Sequence, residues 1–198
     1  MKEIIVATKN KGKVKEFKAI LGQLGYKVTS LLDYPEIPEV EETGETFTEN
    51  AIIKATTIAK HFQKPVIADD SGLIVDALGG RPGVYSARYA GVNKNDTENM
   101  NKVLTEIKNV PEDERTARFH CTIALAYPDG HTECFEGNCE GKITKEPIGT
   151  NGFGYDPIMY IEEKQQTMAQ LPLEVKNAIS HRAKALQQLK EKWIEITS

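Results

Sequence analysis

Cysteine is scarce in this chain: Cys121, Cys134 and Cys139 are three among 198 residues and match no paired metal-ligand spacing. An odd, irregular set argues against both a disulfide framework and a structural zinc site, and the three read as small buried hydrophobes. Long apolar runs are missing too. None approaches the ~20 apolar residues of a membrane-spanning helix, and the opening MKEIIVATKN lacks the extended apolar centre of a secretory signal. The expectation is a cytoplasmic protein with no membrane partner. Positive charge is not in excess either. The 25 Lys and Arg against 29 Asp and Glu leave a net −4, which disfavours a broad surface for nucleic acid but leaves room for a local cationic pocket holding a small anion. There is no internal repeat, low-complexity tract or Pro/Ser-rich linker. Residues 1–198 therefore read as a single domain, and two lobes sharing one sheet would pass the same test.

What is present alternates between strand-like and helix-like patterns. Ile4 to Ala7 is a short apolar run, and Thr8-Lys9-Asn10-Lys11-Gly12-Lys13 separates it from a stretch with Val14, Phe17, Ile20 and Leu21 at helical spacing. Gly22 and Gly25 are expected to end that helix, and Lys27 to Leu32 resembles a second strand before an acidic loop from Tyr34 to Gly44. Thr46 and Glu49 have the form of a capping box, which predicts a helix over about 46–61. Pro65 to Ala68 reads as a buried strand with Asp69-Asp70-Ser71-Gly72 at its carboxyl end, where open α/β sheets place ligands. A helix near 96–107 is followed by strands over 118–127 and 132–141, joined by the turn Pro128-Asp129-Gly130. Two strands so joined run antiparallel and make the sheet mixed. Ser180 is a candidate cap for a final helix with the stripe Ala183, Leu186, Leu189 and Trp193.

Four groups of residues suggest chemistry. The loop from Thr8 to Lys13 sets a hydroxyl, an amide and three lysines between strand and helix, where phosphates are held, although a solvated basic turn has the same form. Glu41-Glu42 and Asp69-Asp70 supply hard oxygen ligands of the kind Mg²⁺ takes together with substrate phosphates. Surface acidic pairs are commonly just solvated, but two carboxylates beside an apolar strand need a cation or a proton. Phe153 and Tyr155, among glycines, fit either a stacking face for a base or an anchor within a turn. Lys176, Ser180, His181 and Arg182 offer donors able to select a 6-keto purine, or serve as helix caps and exposed charge. His61, His120 and His131 have no cluster around them and read as structural or surface residues.

These stretches together resemble the Ham1-type family of inosine triphosphate pyrophosphatases. The likeness covers almost the whole chain. It is carried by Thr8 to Lys13; by Glu41-Glu42-Thr43-Gly44 with Phe47, Glu49, Asn50, Ala51 and Lys54; and by Ala68 to Leu73. It continues through Gly79 to Arg88 and Gly152 to Pro157 and finishes with Ser180-His181-Arg182. The resemblance implies an α/β fold: a long mixed sheet with flanking helices, forming two lobes around a nucleotide-binding cleft, usually within a homodimer. It implies a Mg²⁺-dependent enzyme that hydrolyses ITP, dITP and XTP to the monophosphate and pyrophosphate. Thr8, Lys9, Asn10, Lys11, Gly12 and Lys13 would hold phosphates, with Lys54 neutralising their charge. Glu41 and Asp70 would bind metal, Asp70 also activating water. Ser71 would touch the substrate, Phe153 would stack on the base, Gly154, Tyr155 and Asp156 would line its pocket, and Lys176, His181 and Arg182 would contact its 6-keto edge. Separate roles for Glu42 and Asp69 do not follow.

Two other readings use the same residues. A pyrophosphatase of the related Maf-like kind would prefer pyrimidine or modified nucleotides, and Ser180-His181-Arg182 speaks against it. A nucleotide sensor would bind without hydrolysis, and the retained acidic pairs and three-lysine loop speak against that.

Overall fold

The computed structural model describes residues 2–197, with side chains from 3 to 192. The first strand, β1 (Lys2–Val6), leads into helix α1 (Lys11–Gln23) and strand β2 (Tyr26–Ser30). Helix α2 (Phe47–Phe62) and the long strand β3 (Val66–Val75) follow, then α3 (Asp96–Glu106), β4 (Thr116–Ala126) and β5 (Thr132–Ile143). The chain finishes with the short strands β6 (Met159–Ile161) and β7 (Gln166–Thr167) and helices α4 (Leu173–Ile179) and α5 (His181–Thr197). The seven strands form one sheet in the order β2-β1-β3-β4-β5-β6-β7. Strand β1 is parallel to β2 and β3, whereas β6 is antiparallel to β5 and β7, so the sheet is mixed, as expected.

The chain divides into two compact units. One comprises Met1–Asp70, Cys121–Gly137 and Arg182–Ser198, the other Ser71–His120 and Asn138–His181. In the first, side chains of successive strand residues alternate between faces, and the core is accordingly twofold. Ile4, Val6, Ile67, Cys121, Ile123 and Leu125 pack with Phe17 and Leu21 of α1 and with Ala185, Leu186 and Leu189 of α5. Ile5, Ala7, Val66, Ala68, Ala124 and Ala126 pack with Ala51, Ala55, Ile58 and Ala59 of α2. The small residues on that second face let α2 approach the sheet closely. In the second unit Leu73, Val75, Phe119, Cys139, Ile143, Ile158 and Met159 form a core with Met100 and Val103 of α3.

Local signals explain most boundaries. Asn10 caps α1 by accepting from the Lys13 amide, and Thr46 and Glu49 complete the expected capping box of α2. The turn between β4 and β5 is closed by the Tyr127 amide on the His131 carbonyl at 2.9 Å.

Four expectations change. Strand β3 does not stop at Ala68 but runs on through the acidic pair to Val75, because Gly72, Leu73, Ile74 and Val75 continue an apolar strand and buried cations compensate the aspartates. Cys134 is exposed, unlike Cys121 and Cys139, because it falls on the outward positions of alternating β5. Gly22 lies within the last turn of α1, and the chain turns at Gly25, with φ 81°. Ser180 keeps its expected place, extended and immediately before α5, and also ends α4 as its C-cap. In α5 it is Ala185, with Leu186 and Leu189, that is buried, while Ala183 is half-buried. The side chain of Trp193 lies outside the described residues.

Candidate active site

The loop before α1 is organised by its own side chains. The Thr8 hydroxyl accepts from the Asn10 amide at 3.2 Å, and the Asn10 carbonyl oxygen accepts from the Lys13 amide at 3.0 Å. This leaves Lys11 and Gly12 in the opening turn, where amides and helix dipole favour an anion. Lys11 is exposed, Gly12 and Lys13 half-buried, and Lys9 donates to the Pro35 carbonyl at 3.4 Å. Lys13 turns inward, its ammonium 3.1 Å from Asp69.

Asp69 and Asp70 are neighbours in sequence but not in surroundings. Being consecutive in β3, they point to opposite faces of the sheet. Asp69 shares its face with Ile67, beneath α1 and α5. There it accepts from Arg182 through both Nη2 at 2.8 Å and Nε at 3.2 Å, while Arg182 Nη1 donates to Glu16. All three charged groups are buried. Burial would raise the Asp69 carboxyl, but Lys13 and Arg182 outweigh it and hold the group well below the usual carboxylate range.

Asp70 lies on the α2 side with Ala68. Its Oδ2 accepts from Asn50 Nδ2 at 3.1 Å, its Oδ1 is 3.9 Å from Lys54 Nζ, and Lys54 donates to Glu42 at 2.5 Å. Burial, together with the Glu42 charge, pushes the Asp70 carboxyl above its ordinary value despite Lys54. Lys54, for which burial alone would favour deprotonation, is instead held protonated by Asp70 and Glu42. An acid whose proton affinity is raised, beside a fixed ammonium and a second carboxylate, is suited to taking a proton from water.

In the second unit the glycine-rich loop folds around Asp156. Its Oδ2 accepts from the Phe153 amide at 2.9 Å and from Lys176 Nζ at 2.6 Å. A Cβ on Gly152 would stand 1.9 Å from that same oxygen, and Gly152 has φ 76°, so only glycine fits. Lys176 also lies 4.8 Å from the centre of the Phe153 ring. The loop separates the two aromatics. Phe153 is half-buried, whereas Tyr155 is buried and donates to the Ser86 carbonyl at 2.7 Å. Phe153 thus keeps an accessible face, and Tyr155 is the anchor of the turn. His181 is buried and stacked on Phe119 at 5.0 Å between ring centres, and Ser71 is half-buried in β3 immediately after Asp70.

The predicted residues therefore gather as two sets. Thr8 to Lys13, Lys54 and Asp70 fall in the first unit, with Arg182; Phe153, Gly154, Tyr155, Asp156, Lys176 and His181 fall in the second, with Ser71. Arg182, expected at the base edge, has its guanidinium engaged by Asp69 and Glu16. Glu41 is exposed, and it is Glu42 that reaches Lys54. Three partners carry no role in the sequence reading, although Asn50 is among the residues of the resemblance. Glu16 lies on the buried stripe of α1 beside Phe17, where a carboxylate needs a buried cation. Asn50, four residues before Lys54 on α2, donates to Asp70 and accepts the Gly44 amide at 2.8 Å. Asp96, at the start of α3, accepts from the Gly154 amide at 2.8 Å.

Comparison with known proteins decides the family. The model of the Ham1 family matches residues 4–192. This chain belongs to the Ham1 family. It is 63% identical over 195 residues to the dITP/XTP pyrophosphatase of Halalkalibacterium halodurans, covering 98% of this chain and 100% of that one. The Ham1 protein of Staphylococcus aureus superposes with a TM-score of 0.86 at 46% identity, covering 100% of both chains. A HAM1 protein from Coxiella burnetii gives 0.87 at 45% identity, over 98% of this chain and 100% of that one. The expected α/β class with its mixed sheet is therefore that of solved Ham1 structures. Nucleoside triphosphate pyrophosphatases of this family are in general divalent-metal dependent. Among the described residues no helix is long and apolar enough to cross a membrane.

The donor set near Asp70 fits such a metal. Among the described residues no three His, Cys, Asp or Glu side chains gather as a ready-made metal site. Mg²⁺ takes only one or two carboxylates and fills its remaining positions with water and substrate phosphates. Asp70, with its raised proton affinity, is an oxygen donor whose ionised form gains from a nearby cation.

Proposed function

We propose that this chain hydrolyses non-standard purine nucleoside triphosphates, ITP, dITP and XTP, to the monophosphate and pyrophosphate. The observation that carries the reading is the group formed by buried Asp70 of β3, buried Lys54 of α2 and half-buried Glu42 of the loop before α2, within a chain 63% identical to a dITP/XTP pyrophosphatase. In this reading the amides and lysines of residues 8–13 hold the phosphates, and Lys54 neutralises their charge. Asp70 accepts the proton of the water that attacks the α-phosphorus, and Asn50 fixes the direction of its carboxylate. Glu41 and Asp70 would hold Mg²⁺, which when bound supplies neutralisation of phosphate charge and of the leaving pyrophosphate.

Phe153 supplies the face on which the purine stacks, Gly154, Tyr155 and Asp156 shape the loop that presents it, and Lys176 and His181 read the 6-keto edge. Ser71 touches the substrate. Arg182 supports base recognition from its place at the start of α5 while its guanidinium orients Asp69. The enzyme is a single domain, works in the cytoplasm as a homodimer, and takes no nucleic-acid or membrane partner.

Incubation with ITP and Mg²⁺, with the products resolved, tests the reading. IMP and pyrophosphate are expected, with ITP, dITP and XTP cleaved far faster than ATP or GTP. IDP and orthophosphate, no turnover, or an equal specificity constant for ATP would overturn it.

A further inference from the structure

Asp96 stands 58 residues from the glycine-rich loop in sequence, yet its Oδ2 accepts the Gly154 amide at 2.8 Å. An aspartate in the first turn of a helix is ordinarily explained by the helix dipole. Here that explanation is insufficient. Asn95 already caps α3, accepting from the Glu98 amide at 3.0 Å, and the Asp96 carboxylate reaches across to the loop. The bond falls on the residue between Phe153 and Tyr155. On one side the Phe153 amide is held by Asp156, and on the other the Tyr155 hydroxyl is held by Ser86. Gly154 has φ 60°, one of several backbone conformations open to glycine, and the Asp96 bond selects it.

We propose that Asp96 is a positioning residue for substrate selection: its carboxylate clamps the Gly154 amide and so fixes the Phe153 ring in the attitude that receives the purine. The charge matters as well as the contact, because an amide donating to a carboxylate forms a shorter, stronger bond than one donating to a neutral acceptor. Loss of the clamp leaves residues 152–155 able to sample other conformations, and the ordering cost then falls on nucleotide binding. The inference rests on Phe153 being the base platform of a pyrophosphatase.

The test compares Asp96→Ala, Asp96→Asn and Asn95→Ala with the parent enzyme in Mg²⁺ and ITP. Asp96→Ala is expected to raise KM for ITP and the inhibition constant of IMP by about tenfold, with kcat little changed and inhibition by pyrophosphate, which has no base, unmoved. Asp96→Asn keeps an acceptor without the charge and is expected to recover only part of the loss. Asn95→Ala removes the helix cap, lowers the melting temperature and leaves KM alone. An unmoved KM in Asp96→Ala, equal weakening of pyrophosphate, or a KM defect in Asn95→Ala as large as that of Asp96→Ala would overturn the proposal. Absence of ITP hydrolysis by the parent enzyme would overturn the function itself, separately from the clamp.

Discussion

Arg182 donates through Nη2 and Nε to a single carboxylate oxygen of Asp69, at 2.8 and 3.2 Å, while Lys13 approaches the same oxygen at 3.1 Å. Three elements meet at this oxygen: α1 through Lys13, the sheet through Asp69, and the last helix through Arg182. Removal of Asp69 leaves buried Arg182 with Glu16 alone, and removal of Arg182 leaves Asp69 with Lys13 alone and Glu16 without its cation. Asp69→Asn or Arg182→Met is therefore expected to cost about 3–5 kcal/mol of stability. The double variant should lose less than the sum of the two. Denaturant titration of the four proteins checks this, and strict additivity would contradict it.

The same carboxylate governs behaviour in acid. In an unfolded chain an aspartate titrates near 3.9, whereas in the folded protein Lys13 and Arg182 overcome burial and hold Asp69 well below that. Its stabilising contribution is complete above about pH 4 and is lost as pH falls through the lower, folded value. Stability measured between about pH 4 and 2 should fall more steeply for the parent protein than for Asp69→Asn. Equal slopes would remove Asp69 from the acid transition.

Asp70 behaves in the opposite sense. Burial and the Glu42 charge raise its folded proton affinity, so the folded state binds more protons than the unfolded and stability falls as pH rises through that window. Asp70→Asn is expected to raise the melting temperature of the metal-free protein while lowering kcat by roughly a hundred- to ten-thousandfold. Nucleotide binding should stay measurable. A variant that melts lower and retains turnover would place the catalytic base elsewhere.

Lys13 pairs with Asp69 and, in the proposed function, also holds phosphate, and its removal should be felt in both. Lys13→Ala is expected to raise KM for ITP and, because Asp69 loses a cation 3.1 Å away, to destabilise the protein as well. Steady-state kinetics and thermal melting of one preparation check the pair of effects. A KM change with full stability would show the ion pair to be idle.

The loop of the second unit gives a steric test. Gly152→Ala places a methyl 1.9 Å from an Asp156 oxygen on a backbone with φ 76°, so the loop must shift. Both it and Phe153→Ala should raise KM for ITP by about tenfold or more and narrow the preference over ATP. An unchanged ratio of specificity constants would detach this loop from base recognition.

Much of the fold was legible because local chemistry and burial agreed. The capping box at Thr46 and Glu49, the apolar stripe of α2 and the turn at Asp129-Gly130 each announce their element within a few residues. The end of β3 was not legible. Two adjacent aspartates look like a strand's exit, and only the distant Lys13, Lys54 and Arg182 make them tolerable inside it. The candidate residues themselves were readable by type and position, but their partners were not. Glu16 meets Arg182 across 166 positions, and Asp96 meets Gly154 across 58. Pairings of that span depend on topology, which no short window contains.

The alternation of β3 has a consequence for reading variation in this chain. A two-aspartate motif invites the count of two equivalent acids, yet the sheet lies between them and gives Asp69 and Asp70 different partners. Changes at position 69 should surface as poor expression and proteolysis, and changes at position 70 as well-expressed protein that accumulates without activity.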